Sequence, residues 1–298
     1  MTGASGFIGS ALIPALRAAG HEVIRLTRTP QAGAQARADA VVWDPAEGRL
    51  DPDALTGVTA VVHLAGTPVD ERWTAARKRD IRSSRIDSTA LLARTLAKMR
   101  PAPSVFLSAS AIGYYGDRDD DTIDEAAPPG SGFLAQVARE WEDAAAPARD
   151  AGIRTVHPRF GVVLGRAGGA LAKLLPVFEV GAGGKIGHGN QWMSWIARTD
   201  VVRALCFLLT ADAVHGPANL TAPYPARNAE FAKVLGHVLH RPAVATVPAF
   251  ALRLLYGELA DEALLAGQRA LPRVLDEAGF AFEYPHLEGA FRHELGRE

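Results

Sequence analysis

Apolar residues follow two alternating rhythms along this chain. Residues 10–19, SALIPALRAA, place apolar side chains at helical spacing and stop at Gly20, a natural C-cap. His21 to Thr27, HEVIRLT, switches to strand-like, β-branched content, and Val41–Trp43 is a second short strand. Val58 to Ala65, VTAVVHLA, is nearly continuous in apolar character, which suits a strand buried on both faces of a parallel sheet. A long helix with a basic face follows over 75–99, a strand over 104–108, a helix over 133–150 and a strand over 155–164. This alternation predicts an α/β fold with a doubly wound parallel sheet.

After Gly165 the rhythm changes. Residues 166–190 are glycine-rich with one helical run, ALAKLLPVF. The helix TDVVRALCFLLT from 199 returns to the core, and 217–222 reads as a late strand. The tail from Asn228 is mainly helical, punctuated by Pro242, Pro248 and Pro272. The expected organisation is a nucleotide domain over 1–165, rejoined by 194–222. A smaller, mainly helical C-terminal lobe comprises 166–193 and 223–298. A substrate would sit in the cleft between them.

Composition narrows the partners. The chain has 298 residues, 48% hydrophobic and 22% charged, with a formal net charge of −1. That balance gives no reason to expect nucleic acid or an anionic membrane. Cys206 is the single cysteine, so no internal disulfide forms, and the histidines show no metal-binding spacing. No run of about 18 apolar residues occurs, and no signal pattern opens the chain. A cytoplasmic protein with a small-molecule substrate and no metal is the expectation; a homodimer is compatible with it. The acidic tract Asp117-Arg118-Asp119-Asp120-Asp121 reads as a solvated loop.

The start of the chain carries the clearest chemistry. Gly3-Ala4-Ser5-Gly6-Phe7-Ile8-Gly9 reads G-x-x-G-x-x-G and runs straight into the first helical pattern. Such spacing permits a tight turn, a close approach to a pyrophosphate, and close helix–strand packing. The helix start then offers N–H groups and a positive dipole end. Gly3, Ser5, Gly6, Phe7, Ile8 and Gly9 are thus candidate cofactor residues.

With HLAG at 63–66, SASAIGYYG at 108–116 and SWIARTDVVRAL at 194–205, this loop resembles the extended short-chain dehydrogenase/reductase pattern. The blocks at 72–89, 133–142, 189–196, 219–235 and 257–280 are similar to a narrower, atypical group. These are NAD(P)-dependent epimerase-family proteins with a C-terminal domain of unknown function, some labelled cell division inhibitor. The resemblance implies a Rossmann-type sheet with a cofactor across its carboxyl edge. Members carry several apolar residues before the first glycine, whereas here only Met1-Thr2 precede it. The expectation is a truncated first strand, from a gene start placed too late.

NAD-preferring folds place a carboxylate about 20 residues past the glycines. Here that region reads Arg25-Leu26-Thr27-Arg28. Thr27 and Arg28 suit a 2′-phosphate, so NADP(H) is the expected cofactor; the alternative is a solvated Arg28. Asp44 follows the next strand and is placed either beside the adenine or as the cap of its own turn. Leu64, Ala65 and Gly66 end the buried strand, where a small residue admits a cofactor. Arg85, three residues from Arg82 on one helix face, falls where superfamily members often hold a cofactor-side Asn.

The resemblance also implies a Ser, Tyr and Lys catalytic set, with Tyr and Lys spaced Tyr-x-x-x-Lys. Ser110 falls at the serine position. No Tyr-x-x-x-Lys occurs in the chain, and the helix that should carry it reads FLAQVAREWE. Tyr114 and Tyr115 are the nearest substitutes. Trp192 and Trp195 read as a pocket wall, with His188 and Lys185 as accessible acid/base candidates. Two readings stay open. One is an NADP(H)-dependent oxidoreductase or epimerase acting on a small polar metabolite, with a sugar derivative as a candidate. The other is a non-catalytic NADP(H)-binding redox sensor or regulator.

Overall fold

The computed structural model describes residues 1–28 and 39–297. Helix α1 (Gly9–Ala18) leads to strands β1 (Arg25–Thr27), β2 (Ala40–Val42) and β3 (Ala60–His63). Helix α2 (Ala75–Lys98) precedes β4 (Val105–Ser108), β5 (Ser110–Ala111) and β6 (Thr122–Ile123). Helices α3 (Phe133–Asp143) and α4 (Ala146–Asp150) come before β7 (Arg154–Phe160) and β8 (Val162–Leu164). Then follow α5 (Gly169–Glu179), β9 (Gly184–Ile186), β10 (Trp192–Met193), β11 (Trp195–Ala197), α6 (Arg198–Thr210) and β12 (Gly216–Leu220). The tail holds β13 (Ala226–Arg227), α7 (Asn228–Leu239), β14 (Ala245–Val247), α8 (Ala249–Tyr256), β15 (Arg269–Ala270), α9 (Arg273–Glu277) and α10 (Leu287–Leu295).

Strands β3, β4, β7 and β12 lie side by side, all parallel. Strands β1 and β2 form a separate parallel pair. Met1 and Thr2 join the two pieces. The Thr2 amide donates to Val62 O at 3.0 Å, Leu26 N donates to Met1 O at 2.8 Å, and Thr2 bridges His63 in parallel. The resulting order is β2, β1, Met1–Thr2, β3, β4, β7, β12. The strand expected over 21–27 is paired with β2 only over 25–27.

Alternation along the strands splits the core into two faces. Val62, Leu107 and Val156 pack with Leu12 and Leu16 of α1 and Val201, Leu205 and Leu208 of α6. Val61 and Phe106 face Leu91, Leu92 and Leu96 of α2, with Ala145 and Ala148. Full burial of each such leucine stabilises the fold by roughly 1.5–3 kcal/mol. A third core gathers α5, α7 and α10 around Leu164 of β8 and Trp195 and Ala197 of β11.

Two expected elements are broken. The helix over 133–150 is two helices, interrupted at Ala144–Ala145 just before Pro147, whose missing N–H suits a helix start. The strand over 155–164 is interrupted at Gly161, where a Cβ would lie 2.4 Å from Ser194 O. Only glycine lets the strand carrying Trp195 come alongside. Among the described residues no helix is long and apolar enough to cross a membrane.

Candidate functional site

The glycine loop sits where the carboxyl ends of the parallel strands meet the start of α1. Gly3 has φ +64°, and a Cβ there would lie 2.7 Å from the Leu64 carbonyl. A Cβ on Gly9 would lie 2.1 Å from Gly3 O. These two glycines therefore close the turn and seat the helix against β3. Ser5 and Gly6 are exposed. The first turn of α1 has no side-chain cap and no acidic residue; its Ser10 and Ala11 amides donate to Gly6 O and Ile8 O, so an anion there would meet the amides that precede them. Ile8 is the N-cap. The Phe7 ring turns away to pack on Gly165, Gly168 and Gly169, where added Cβ atoms would lie 2.7, 2.6 and 3.1 Å from it.

A buried relay holds the loop to β3. The Thr2 hydroxyl accepts from the Leu64 and Ala65 amides, both at 3.1 Å. It faces His63 Nδ1 at 2.6 Å, while His63 Nε2 faces Ser88 Oγ at 3.1 Å. Ser88 in turn donates to Ser84 O at 2.6 Å. The Thr2 proton therefore points at Nδ1, and Nε2–H donates to Ser88. Burial pushes the His63 pKa down to about 3, so the ring is neutral.

Thr27 is half-buried at the end of β1, and Arg28 is exposed, with no ion pair to a described residue. Asp44 is engaged in its own turn. It accepts from the Ala46 and Glu47 amides at 3.1 and 3.2 Å and pairs with Arg49 at 3.1 Å. Those bonds, led by the Glu47 amide, hold its pKa below the usual carboxylate range. Its carboxylate thus caps its own turn. Gly66 is exposed, and a Cβ on it would lie 3.2 Å from the Arg85 guanidinium. Arg85 donates to Thr67 O and Ile81 O and stacks over Trp141 at 5.0 Å; burial lowers its pKa to about 10. Arg82 instead pairs with Glu140 at 2.6 Å, which also accepts from Gln136. The two arginines thus have separate partners.

Ser110, Tyr114 and Tyr115 converge on a residue that the sequence reading did not single out, Arg159 of β7. Its guanidinium lies 3.6 Å from the Tyr114 ring centre and donates to the Tyr115 hydroxyl at 2.9 Å. It grips Glu142 of α3 with two bonds of 2.8 Å. Burial opposes the guanidinium's charge, but Glu142's hydrogen bonds outweigh it, and the pKa rises. Ser110 donates to the same carboxylate at 2.6 Å. Its proton is thus committed, and its remaining lone pairs can only accept. Tyr115 is fully buried and donates to Asn219 Oδ1 at 2.7 Å; burial pushes its pKa up to about 12. Tyr114 is half-buried, and its hydroxyl makes no hydrogen bond to a described residue. Nearby, the Ser108 hydroxyl and His157 Nδ1 are buried without partners among the described residues.

The two tryptophans do not form a free pocket wall. Trp195 is fully buried and donates to Tyr224 O. Trp192 lies between the guanidiniums of Arg227 and Arg269, at 4.2 and 4.6 Å. His188 accepts from the Asn190 amide within its own turn. A cavity of about 500 Å³ opens beside this region, lined in part by Asp117, Asp119, Asp120, His188, Gln191 and Arg227. The aspartates of the acidic tract are exposed, as in a solvated loop, and Asp117, Asp119 and Asp120 line part of this opening. No cluster that could hold a metal ion occurs among the described residues.

Chain comparison places this architecture among known proteins. Residues 1–220 match the NAD dependent epimerase/dehydratase family, and 247–294 match a domain of unknown function, DUF1731. An epimerase family protein of Mycobacterium bovis is 46% identical over 100% of this chain and 97% of its own. The crystal structure of human epimerase family protein SDR39U1 with NADPH aligns with a TM-score of 0.89 and 34% identity, covering 100% of this chain and 98% of that one. A nucleoside-diphosphate sugar epimerase from Corynebacterium glutamicum aligns at 0.81 and 35% identity, over 100% of this chain and 57% of that one.

Proposed function

The chain belongs to the NAD dependent epimerase/dehydratase family, and on that premise we propose that it is an NADP(H)-dependent oxidoreductase or epimerase of a small polar metabolite. The residues present fit a dinucleotide. Gly3 and Gly9 close a turn that no larger residue could form, the first turn of α1 carries no side-chain cap and no acidic residue, and Arg28 has no described ion-pair partner. Residues 3–9 would hold the pyrophosphate, Thr27 and Arg28 the 2′-phosphate, and Leu64–Gly66 with Arg85 the nicotinamide side. The cofactor would supply hydride exchange with a carbinol or carbonyl carbon.

The observation that carries the catalytic reading is the convergence of Ser110, Tyr114 and Tyr115 on the Arg159–Glu142 pair at the carboxyl edge of the sheet. Ligands of open parallel sheets bind at that edge. Ser110, only 1% exposed and giving its own proton to Glu142, orients the Arg159–Glu142 pair beside the substrate. Tyr114 moves the substrate proton, because Tyr115 is sealed in the core. Arg159 fixes both tyrosines relative to Ser110.

The absence of Tyr-x-x-x-Lys and the internal commitment of Ser110 and Tyr115 favour the second reading, a cofactor-binding sensor. Incubation with NADPH and a panel of ketones and sugar derivatives separates the two. Consumption abolished by Tyr114→Phe and Ser110→Ala supports the enzyme; NADPH binding without turnover on any substrate supports the sensor.

A further inference from the structure

Arg85 brings a positive charge to the exit of β3 without an anion to match it. Its Nη1 donates to Thr67 O at 2.9 Å and to Ile81 O at 3.0 Å, and both acceptors are neutral carbonyls. Arg82, on the same helix, pairs with Glu140, whereas no described carboxylate pairs with Arg85. His63, which feels the Arg85 charge, is itself neutral. A guanidinium drawn out of water without a counter-charge is costly, and burial here already disfavours the charged form.

The group is held in place and open along one edge. Two carbonyls fix Nη1, and the guanidinium carbon lies over the Trp141 ring at 5.0 Å from its centre. Trp141 is anchored in turn, since its indole N–H donates to Thr89 Oγ1 at 2.9 Å. Nε and Nη2 of Arg85 donate to no described residue. Neither is sealed in the core, unlike the unpaired Nε atoms of Arg25, Arg77 and Arg269. Nε–H and one Nη2–H point the same way from the guanidinium plane, a fork that matches two oxygens of a carboxylate or phosphate. Exposed Gly66 leaves room beside this fork: a Cβ there would lie 3.3 Å from Nη2.

We propose that Arg85 receives the negative group of the substrate, which makes that substrate an acid: a small polar metabolite carrying a carboxylate or a phosphate. The inference rests on the oxidoreductase reading above and names its substrate class. On that reading the glycine loop takes the diphosphate and Arg28 the 2′-phosphate. The nicotinamide and its ribose, towards Gly66, bring no negative charge, so the open edge of Arg85 is left for the substrate. Position agrees with this. Arg85 packs on Trp141 of α3, and the next residue of that helix, Glu142, holds Ser110 and Arg159. A neutral substrate would leave the cation unmatched, and an amine would be repelled by it.

Calorimetry on the full chain saturated with NADPH tests this with three probes: inorganic phosphate, glycerate and glycerol. Phosphate and glycerate are expected to bind at millimolar concentration, and glycerol, which lacks the charge, is not. Arg85→Gln is expected to weaken both anions by about tenfold, the loss of one forked, charge-assisted contact. Arg85→Lys keeps the charge without the fork and should recover only part of that loss. Both variants are expected to keep the cooperative thermal transition of the parent protein. Glycerol binding as tightly as glycerate overturns the proposal, and so does anion binding that Arg85→Gln leaves unchanged. A saturated protein that binds neither anion also overturns it; a fall in NADPH affinity in Arg85→Gln then assigns the guanidinium to the cofactor's own diphosphate. NADPH fluorescence is read before any anion is added, so an unaltered protein that fails to bind NADPH counts instead against the cofactor reading on which the proposal rests.

Discussion

Arg159 is a guanidinium with 3% side-chain exposure inside a parallel sheet, and Glu142 is the anion that makes this tenable. Removing one partner of a buried pair leaves an uncompensated charge. Glu142→Ala is therefore expected to destabilise the fold by about 3–5 kcal/mol, seen as a lower urea midpoint. A second residue-scale expectation concerns His63. Its folded pKa of about 3 lies below the ordinary 6.5, so the unfolded chain binds the proton more readily between those values. Its contribution is complete above pH 6.5 and falls by about 1.4 kcal/mol per pH unit below it. His157, whose pKa burial also lowers, acts in the same direction. Denaturation of wild type and His63→Gln at pH 7 and pH 5 checks this, since the variant should lose less stability on acidification. Ser110, Tyr114 and Tyr115 were legible because they stand in a recognisable strand-exit motif. Arg159 and Glu142 were not, because charged residues in a strand and a helix read as solvated until their side chains are seen to meet.

At the scale of elements, period and punctuation located most of the helices and the sheet strands, while the breaks depended on tertiary contact. Gly161 interrupts its strand because Ser194 O comes within Cβ range, an approach that local spacing does not reveal. Helix α3 shows the same limit. It begins without a cap of its own, after Gly132 at φ +101°. Its Phe133 and Leu134 amides donate to the two oxygens of Glu262, each at 2.8 Å. Glu262 sits in a π-helical turn, Ala260–Leu264, over a hundred residues later, so no N-cap signal precedes the helix. A carboxylate there satisfies two orphan donors and complements the helix dipole. Glu262→Ala is expected to cost about 1–2 kcal/mol with an unchanged denaturant slope. Hydrogen exchange should show faster opening at residues 133–136 specifically. At the glycine loop, Arg28→Asp should weaken NADPH far more than NADH in fluorescence titrations; an equal effect on both would remove the 2′-phosphate role.

Across the whole molecule, the C-terminal residues behave as a strap on the sheet's carboxyl edge. Strand β15 pairs with β6 in parallel, and Leu271 N donates to Ile123 O at 2.9 Å. Leu271 O accepts from the Asn219 amide at 2.9 Å, Ala270 O from the Thr221 hydroxyl at 3.1 Å, and Ala270 N donates to Ser194 Oγ at 2.8 Å. Glu125 accepts from both Asn219 N and Val274 N, and Asp200 from Glu283 N and Tyr284 N. Sequence alone showed a helical tail there, since a strap held by isolated backbone contacts has no period. Asn219 is the residue where this matters for the site: it fixes the Tyr115 hydroxyl, and through it Arg159. A chain ending at residue 246 would keep the matched 1–220 segment whole, yet it would strip partners from Asn219, Thr221, Ser194, Asp200 and the start of α3. Each buried group so orphaned costs about 1–3 kcal/mol, and together they exceed an ordinary stability margin of about 5–15 kcal/mol only if several fail at once. They share one segment, so removing it makes them fail together. The shortened chain is therefore expected to lose its sharp thermal transition and its near-ultraviolet circular dichroism while keeping helical signal. A cooperative transition with unaltered NADPH affinity would show that the nucleotide-binding part stands without the strap.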